Sequence, residues 1–161
     1  MRRVQHTHSA PRESGVGVIE TMLVIGLLVA TSAVLLPLLT RSYDTARSES
    51  SSDAVRDALR EARSRSRGNV GGVSHGVYID TAASPVTLTL YRGATFISRN
   101  STFDQIEMLE AGAAVLMTPP VSDMHFSGSV GTTTDRTIAV TTGGETQILE
   151  LLSTGFVRYA P

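Results

Sequence analysis

The chain predicts an α+β domain behind a long N-terminal helix, and three features carry that prediction. From residue 16 to residue 39 nearly every side chain is apolar. From residue 40 to residue 67 the apolar positions thin to one narrow stripe at helical spacing. From Val73 onward the period falls to two and turn residues multiply, as antiparallel strands require.

At about 1.5 Å per residue, a helix over residues 16–39 spans roughly 36 Å, enough to cross a ~30 Å hydrocarbon core with some tilt. It reads as a membrane anchor. Arg2, Arg3 and Arg12 precede it with only Glu13 opposing them, which places the N-terminus in the cytoplasm and residues beyond about 40 outside. Arg41 is a weak contrary signal. Pro37 removes one helical hydrogen bond, so a kink is expected near Ala33. Glu20 is the exceptional residue. An ionised carboxylate in hydrocarbon costs at least ~2.5 kcal/mol, and no Arg, Lys or His lies between Val16 and Thr40 to neutralise it. Its partner must come from another chain or from a free amino terminus. Two rival readings are an ordinary secretory signal peptide, with Val18–Val29 as its apolar region, and a plain anchor whose Glu20 snorkels to the headgroups. The first would bury Glu20 in the apolar region and leave an exposed VLLPLL segment.

Residues 40–67 continue the helix into water. Val55, Leu59, Ala62 and Ser66 share one face, which should lie on the globular domain. Arg56, Arg60, Arg63 and Arg67 form a neighbouring stripe, and Asp53, Asp57 and Glu61 the next. Glu61 and Arg65 make a favourable acid-before-base pair. The run Ser-Glu-Ser-Ser-Ser-Asp from Ser48 is a soft spot where the helix is expected to bend or fray, because serine is a mediocre helix former. Gly68, Asn69, Gly71 and Gly72 then stop it.

The strands follow. Val73, Val77 and Ile79 alternate with polar neighbours, and Val86, Leu88 and Leu90 do so more cleanly between Pro85 and Gly93. Ala113–Met117 and Met124–Phe126 are shorter candidates separated by Pro119 and Pro120. Ile138 and Val140 lead through Gly143 and Gly144 into Gln147, Leu149 and Leu151, a hairpin, and a last strand follows Gly155. The expected layout is one long helix packed on antiparallel sheet.

The N-terminal residues resemble the class III signal peptide of type IV pilins and type II secretion pseudopilins. Gly15 stands at the cleavage position, Val16 at the apolar first mature position, Glu20 at the mature fifth, and Pro37 at the mature twenty-second, where a proline is frequent. The order of elements beyond is similar to the GspH- and FimT-related minor pseudopilins. The resemblance implies a leader over residues 1–15, an assembly and membrane helix over 16–39, its amphipathic continuation over 40–67 and a β-rich domain over 68–161. It implies cleavage after Gly15 by a prepilin peptidase, N-methylation of Val16, and a structural rather than catalytic role. Other pilins or pseudopilins, and an inner-membrane assembly platform, are the implied partners. Glu20 would neutralise the N-terminal amine of a neighbouring subunit in a filament. The product would be a single-pass inner-membrane protein with an extracytoplasmic domain before assembly. The stripe of Arg56, Arg60, Arg63 and Arg67 admits a DNA-contacting face, as in FimT-type minor pilins, or a solvated face laced by its acids; the interleaving of charge favours the second. Arg92, Arg99, Arg136 and Arg158 could extend the first.

Composition excludes several classes of chemistry. The chain has no cysteine, and all 14 of its Lys and Arg residues are arginine. Thiol catalysis, a disulfide framework, a Schiff base and a P-loop lysine are therefore ruled out. Without the first 15 residues, 11 arginines face 14 acids, a formal charge of −3 that gives no general case for nucleic acid. His6 and His8 fall in the leader. His75 reads as a satisfied core or edge residue, and His125 has no serine or carboxylate at triad spacing. Asp123 and Asp135 lack the clustered ligands of a calcium loop, so no metal and no cofactor are expected.

Overall fold

The computed structural model describes residues 17–160, and Gly15 and Val16 lie outside them. Helix α1 runs from Val18 to Arg67. The chain divides into two compact units, one ending at Leu39 and one beginning at Thr40.

In the first unit α1 carries an 18-residue window of mean hydropathy 2.5, none of it buried. Its hydroxyls turn back on the helix: Thr31 donates to the Leu27 carbonyl at 2.9 Å and Ser32 to that of Leu28 at 2.7 Å. Such back-bonding leaves no hydroxyl proton bare in an apolar setting. α1 is continuous through Pro37.

In the second unit α1 buries Val55, Leu59, Ala62 and Ser66, the stripe that its spacing predicts. It also buries Ser48, Ser51 and Ser52. The expected soft spot is instead a packed and continuous stretch of helix. Packing overrides propensity here, because small side chains let the helix axis sit close to the sheets.

Two four-stranded sheets take the place of the single expected one. The first comprises β1 (His75–Asp80), β2 (Thr87–Arg92), β3 (Gln105–Met108) and β5 (Asp123–Phe126), in the order β3-β2-β1-β5. The second comprises β4 (Ala114–Thr118), β6 (Arg136–Thr142), β7 (Glu145–Leu151) and β8 (Val157–Tyr159), in the order β4-β6-β7-β8. All pairings are antiparallel. The β6–β7 hairpin turns at Gly143 and Gly144, both at positive φ, as the two-residue turn requires. One apolar cluster joins Val55 and Leu59 of the helix to Val77, Leu88, Met124 and Phe126 of the first sheet and Ile138, Val140 and Leu149 of the second. The helix thus lies on both sheets at once.

A polar clamp fixes one end of the first sheet. Tyr91 is buried, and its hydroxyl donates to Asp123 at 2.5 Å. The other Asp123 oxygen accepts the Phe96 backbone N–H at 3.0 Å, and Phe96 stacks on Tyr78 at 3.8 Å between ring centroids. Burial first, then the Asp123 carboxylate, push the Tyr91 phenol well above its ordinary range. Gly76 pairs with Tyr91 across the strands, and a Cβ there would strike the Tyr91 ring.

Candidate functional site

Two regions stand out, one at each end of α1. In its first turn Glu20 lies among Val18, Ile19, Met22 and Leu23, all more than half exposed. No ion pair to Glu20 forms among the described residues. An ionised carboxylate there would need a cation partner if the helix lay in hydrocarbon.

The second region lies near the end of the helix. The four stripe arginines do not share one environment. Arg56 pairs with Asp53 at 2.8 Å and covers the Tyr159 ring, and Arg60 reaches Asp57 at 4.0 Å. These two are laced by acids, as interleaved charge predicts. Arg63 and Arg67 have no acidic partner among the described residues. Together with Arg60 they line an open cavity of about 650 Å³ that Ser64, Ser129, Gly155 and Phe156 also border.

Arg63 is held in place by its surroundings. Its guanidinium carbon lies 3.9 Å from the centroid of the Phe156 ring, a cation–π contact. Two buried glycines make room for it. A Cβ on Gly131 would come within 2.6 Å of the Arg67 Cγ and 3.0 Å of the Arg63 Cγ, and one on Gly155 would come within 2.7 Å of the Arg63 Nε. Both glycines have positive φ, 71° and 79°, so a side chain there would also strain the backbone. The Arg63 Nε is buried without a hydrogen-bond partner. Burial, and secondly the charge of Arg67, hold the Arg63 guanidinium below its ordinary value. Phe156, Gly131 and Gly155 have no sequence signal tying them to Arg63, since they lie on loops far along the chain.

The four other candidate arginines are engaged. Arg92 donates to the Gly71 carbonyl at 2.6 Å and Arg136 to that of Val121 at 2.6 Å. Arg99 pairs with Asp104 at 2.7 Å and Arg158 with Glu150 at 2.7 Å. They do not extend the helix stripe into one basic face. His75 is buried, and its backbone N–H donates to the Ser66 hydroxyl at 2.8 Å. Burial first, then Arg65 and Arg92, lower the His75 pKa; the residue is buried as expected, but its Nδ1 has no hydrogen-bond partner among the described residues, so it is not the satisfied histidine expected.

No protein-family model matches the chain, and no curated protein matches it. Solved structures do. The type IV minor pilin FimU of Pseudomonas aeruginosa strain PAO1 is similar in two crystal forms. In one the TM-score is 0.56 at 16% identity, covering 73% of this chain and 90% of that one. In the other it is 0.53 at 17% identity, covering 70% and 92%. The minor pseudopilin EpsH from the type 2 secretion system of Vibrio cholerae is similar with a TM-score of 0.52 at 18% identity, covering 71% of this chain and 96% of that one. The long helix, the two antiparallel sheets laid against it and these likenesses together identify the fold of this chain as that of the minor pilins and minor pseudopilins.

Proposed function

We propose that the chain is a minor pilin or pseudopilin, a structural subunit that enters a helical filament through the first half of α1. One observation carries the reading: an apolar helix segment with no burial of its own, bearing a lone acid in its first turn, adjoins a unit of the pilin fold. The segment holds the precursor in the inner membrane as a single pass, with the β-rich unit outside. A prepilin peptidase removes the residues up to Gly15 and frees the Val16 amine, which is then methylated. An assembly platform draws the subunit into the filament, where Glu20 sits against the Val16 amine of a neighbour. In low dielectric a misaligned pair leaves an uncompensated charge, so Glu20 sets the axial register. The role is structural and calls on no catalytic residue.

The alternative reading, a minor pilin that contacts DNA during uptake, has less support. Arg56, Arg60, Arg99 and Arg158 are already engaged with acids, and Arg92 and Arg136 with backbone carbonyls, which leaves Arg63 and Arg67 of the candidates for phosphate.

The test is processing and assembly in a host with the machinery. Intact mass should fall by residues 1–15 when prepilin peptidase is present, and cleavage near Ser32 or Ala33 instead would sink the reading. Glu20→Gln should insert and be cleaved normally, because losing a charge eases insertion. Its recovery in sheared filaments should drop, since a neighbour's buried amine left unpaired costs about 3–5 kcal/mol. Equal recovery of wild type and variant would leave Glu20 a tolerated interfacial residue.

A further inference from the structure

We propose that the open edge of β3 takes up an extended segment of a different protein, a strand in which basic and apolar residues alternate. The contact lies in the globular unit and is independent of entry into a filament.

Strand β3 ends its sheet, with β2 on one side and no strand on the other among the described residues. All four of its residues are exposed. The Leu109 N–H reaches the Val86 carbonyl at 2.9 Å, so the residues in phase with it, Glu107 and Gln105, turn their backbone groups inward to β2. Ile106 and Met108 turn theirs to the open edge, where no described residue pairs with them. Such an edge is a template for another strand.

The two faces of this edge differ in chemistry. Gln105 and Glu107 stand opposite the buried Leu90 and Leu88, and so face the helix. There a cavity of about 270 Å³ is lined by Leu88 and Leu90 together with Asp57, Glu61 and Glu107. Glu61 is paired with Arg65, but Asp57 reaches Arg56 and Arg60 only at 3.5 and 4.0 Å, and Glu107 has no ion pair among the described residues. On the opposite face Ile106 and Met108 are 66% and 68% exposed. An added strand would set alternate side chains over the acidic cavity and the others against Ile106 and Met108. Arginine or lysine suits the first position, with its stem on the leucines and its head at the carboxylates. A β-branched or aromatic side chain suits the second. A second copy of this chain does not fit, because pairing two β3 edges would bring Glu107 and its flanking acids together.

The test uses the full-length, isotope-labelled chain in non-ionic micelles, titrated with a short blocked peptide that alternates arginine and valine. The Ile106 and Met108 amides should shift and become protected from hydrogen exchange, since the added strand takes up their N–H groups. A peptide of the same composition with its arginines in one block should bind about tenfold more weakly. Ile106→Pro removes an N–H that the ladder to β2 does not use, so the variant should keep its melting temperature and lose the peptide. Glu107→Arg should weaken the arginine–valine peptide by about tenfold and admit the matching glutamate–valine peptide, which an unfolded variant could not do. Equal binding of the block and alternating peptides, or binding that Ile106→Pro leaves intact, would overturn strand addition. No change at the Ile106 and Met108 amides up to the solubility limit of the peptide would overturn it as well.

Discussion

The two halves of α1 have the same backbone and opposite surroundings. From Val18 to Leu39 every residue is exposed, most of them large and apolar, and Glu20 is the sole acid. From Thr40 to Arg67 the helix is polar overall, yet it buries Val55, Leu59, Ala62 and four serines against two sheets. The second half is stabilised within the chain by that packing. Nothing among the described residues covers the first half, whose apolar surface suits lipid or another helix. One element therefore supplies the foundation of the fold and, on the proposed reading, the means of assembly, and substitutions should separate the two roles.

The largest separation should come from a matched pair of leucines. Leu59→Ala removes a fully buried side chain and should lower the stability of the globular unit by about 2–5 kcal/mol. Leu28→Ala, in the exposed half, should leave the melting curve of that unit unchanged and alter only membrane retention or filament recovery. Thermal melts of both in detergent check this. A Leu28→Ala destabilisation as large as that of Leu59→Ala would erase the division.

Gly155→Ala should cost somewhat less. An alanine at φ 79° carries about 1–2 kcal/mol of backbone strain, and its Cβ would also press on Arg63 and on the Gly131 carbonyl. Denaturant midpoints measure the loss. A neutral result would mean that the Arg63 pocket is looser than its geometry indicates.

The smallest effect is one of pH. The globular half of the helix packs against His75. Folding keeps His75 neutral, because burial and then Arg65 and Arg92 oppose its proton. The unfolded chain takes up that proton near its ordinary value of about 6.5. Stability should thus be level above that pH and fall as pH drops below it, until the lowered folded value is passed. Melting temperatures of wild type and His75→Gln should diverge in that window. Parallel curves would show that His75 is not the group responsible.

Much of this was legible in the residues. The Val55, Leu59, Ala62 and Ser66 stripe and the hairpin at Gly143 and Gly144 are local patterns, and local spacing finds them. Strand β3 was missed although Gln105, Ile106, Glu107 and Met108 alternate polar and apolar, because the alternation lasts only four residues and all four are exposed. The division into two sheets was hidden for a different reason. The outer neighbour of β1 is β5, from far along the chain, and such pairing leaves no periodic trace. The arginine stripe was visible, but its division into laced and free members depends on where Phe156, Gly131 and Gly155 arrive in space. The serine run was misread because propensity speaks only for an isolated helix, and burial against the sheets outweighs it.

Those serines also have a mechanical consequence. Ser48 donates to the Glu145 carbonyl at 3.5 Å, Ser52 meets the Tyr159 hydroxyl at 3.3 Å, and Ser66 accepts from the His75 backbone at 2.8 Å. These bonds tie three points along the helix, two a turn apart and the third near its end, to the β6–β7 hairpin, to β8 and to β1, and so to both sheets. A pull along the helix axis loads them together, in shear, rather than peeling them one after another. The globular unit is thereby fastened to its helix as a lap joint is, and resists tension along the axis far better than a sideways tug at Arg67.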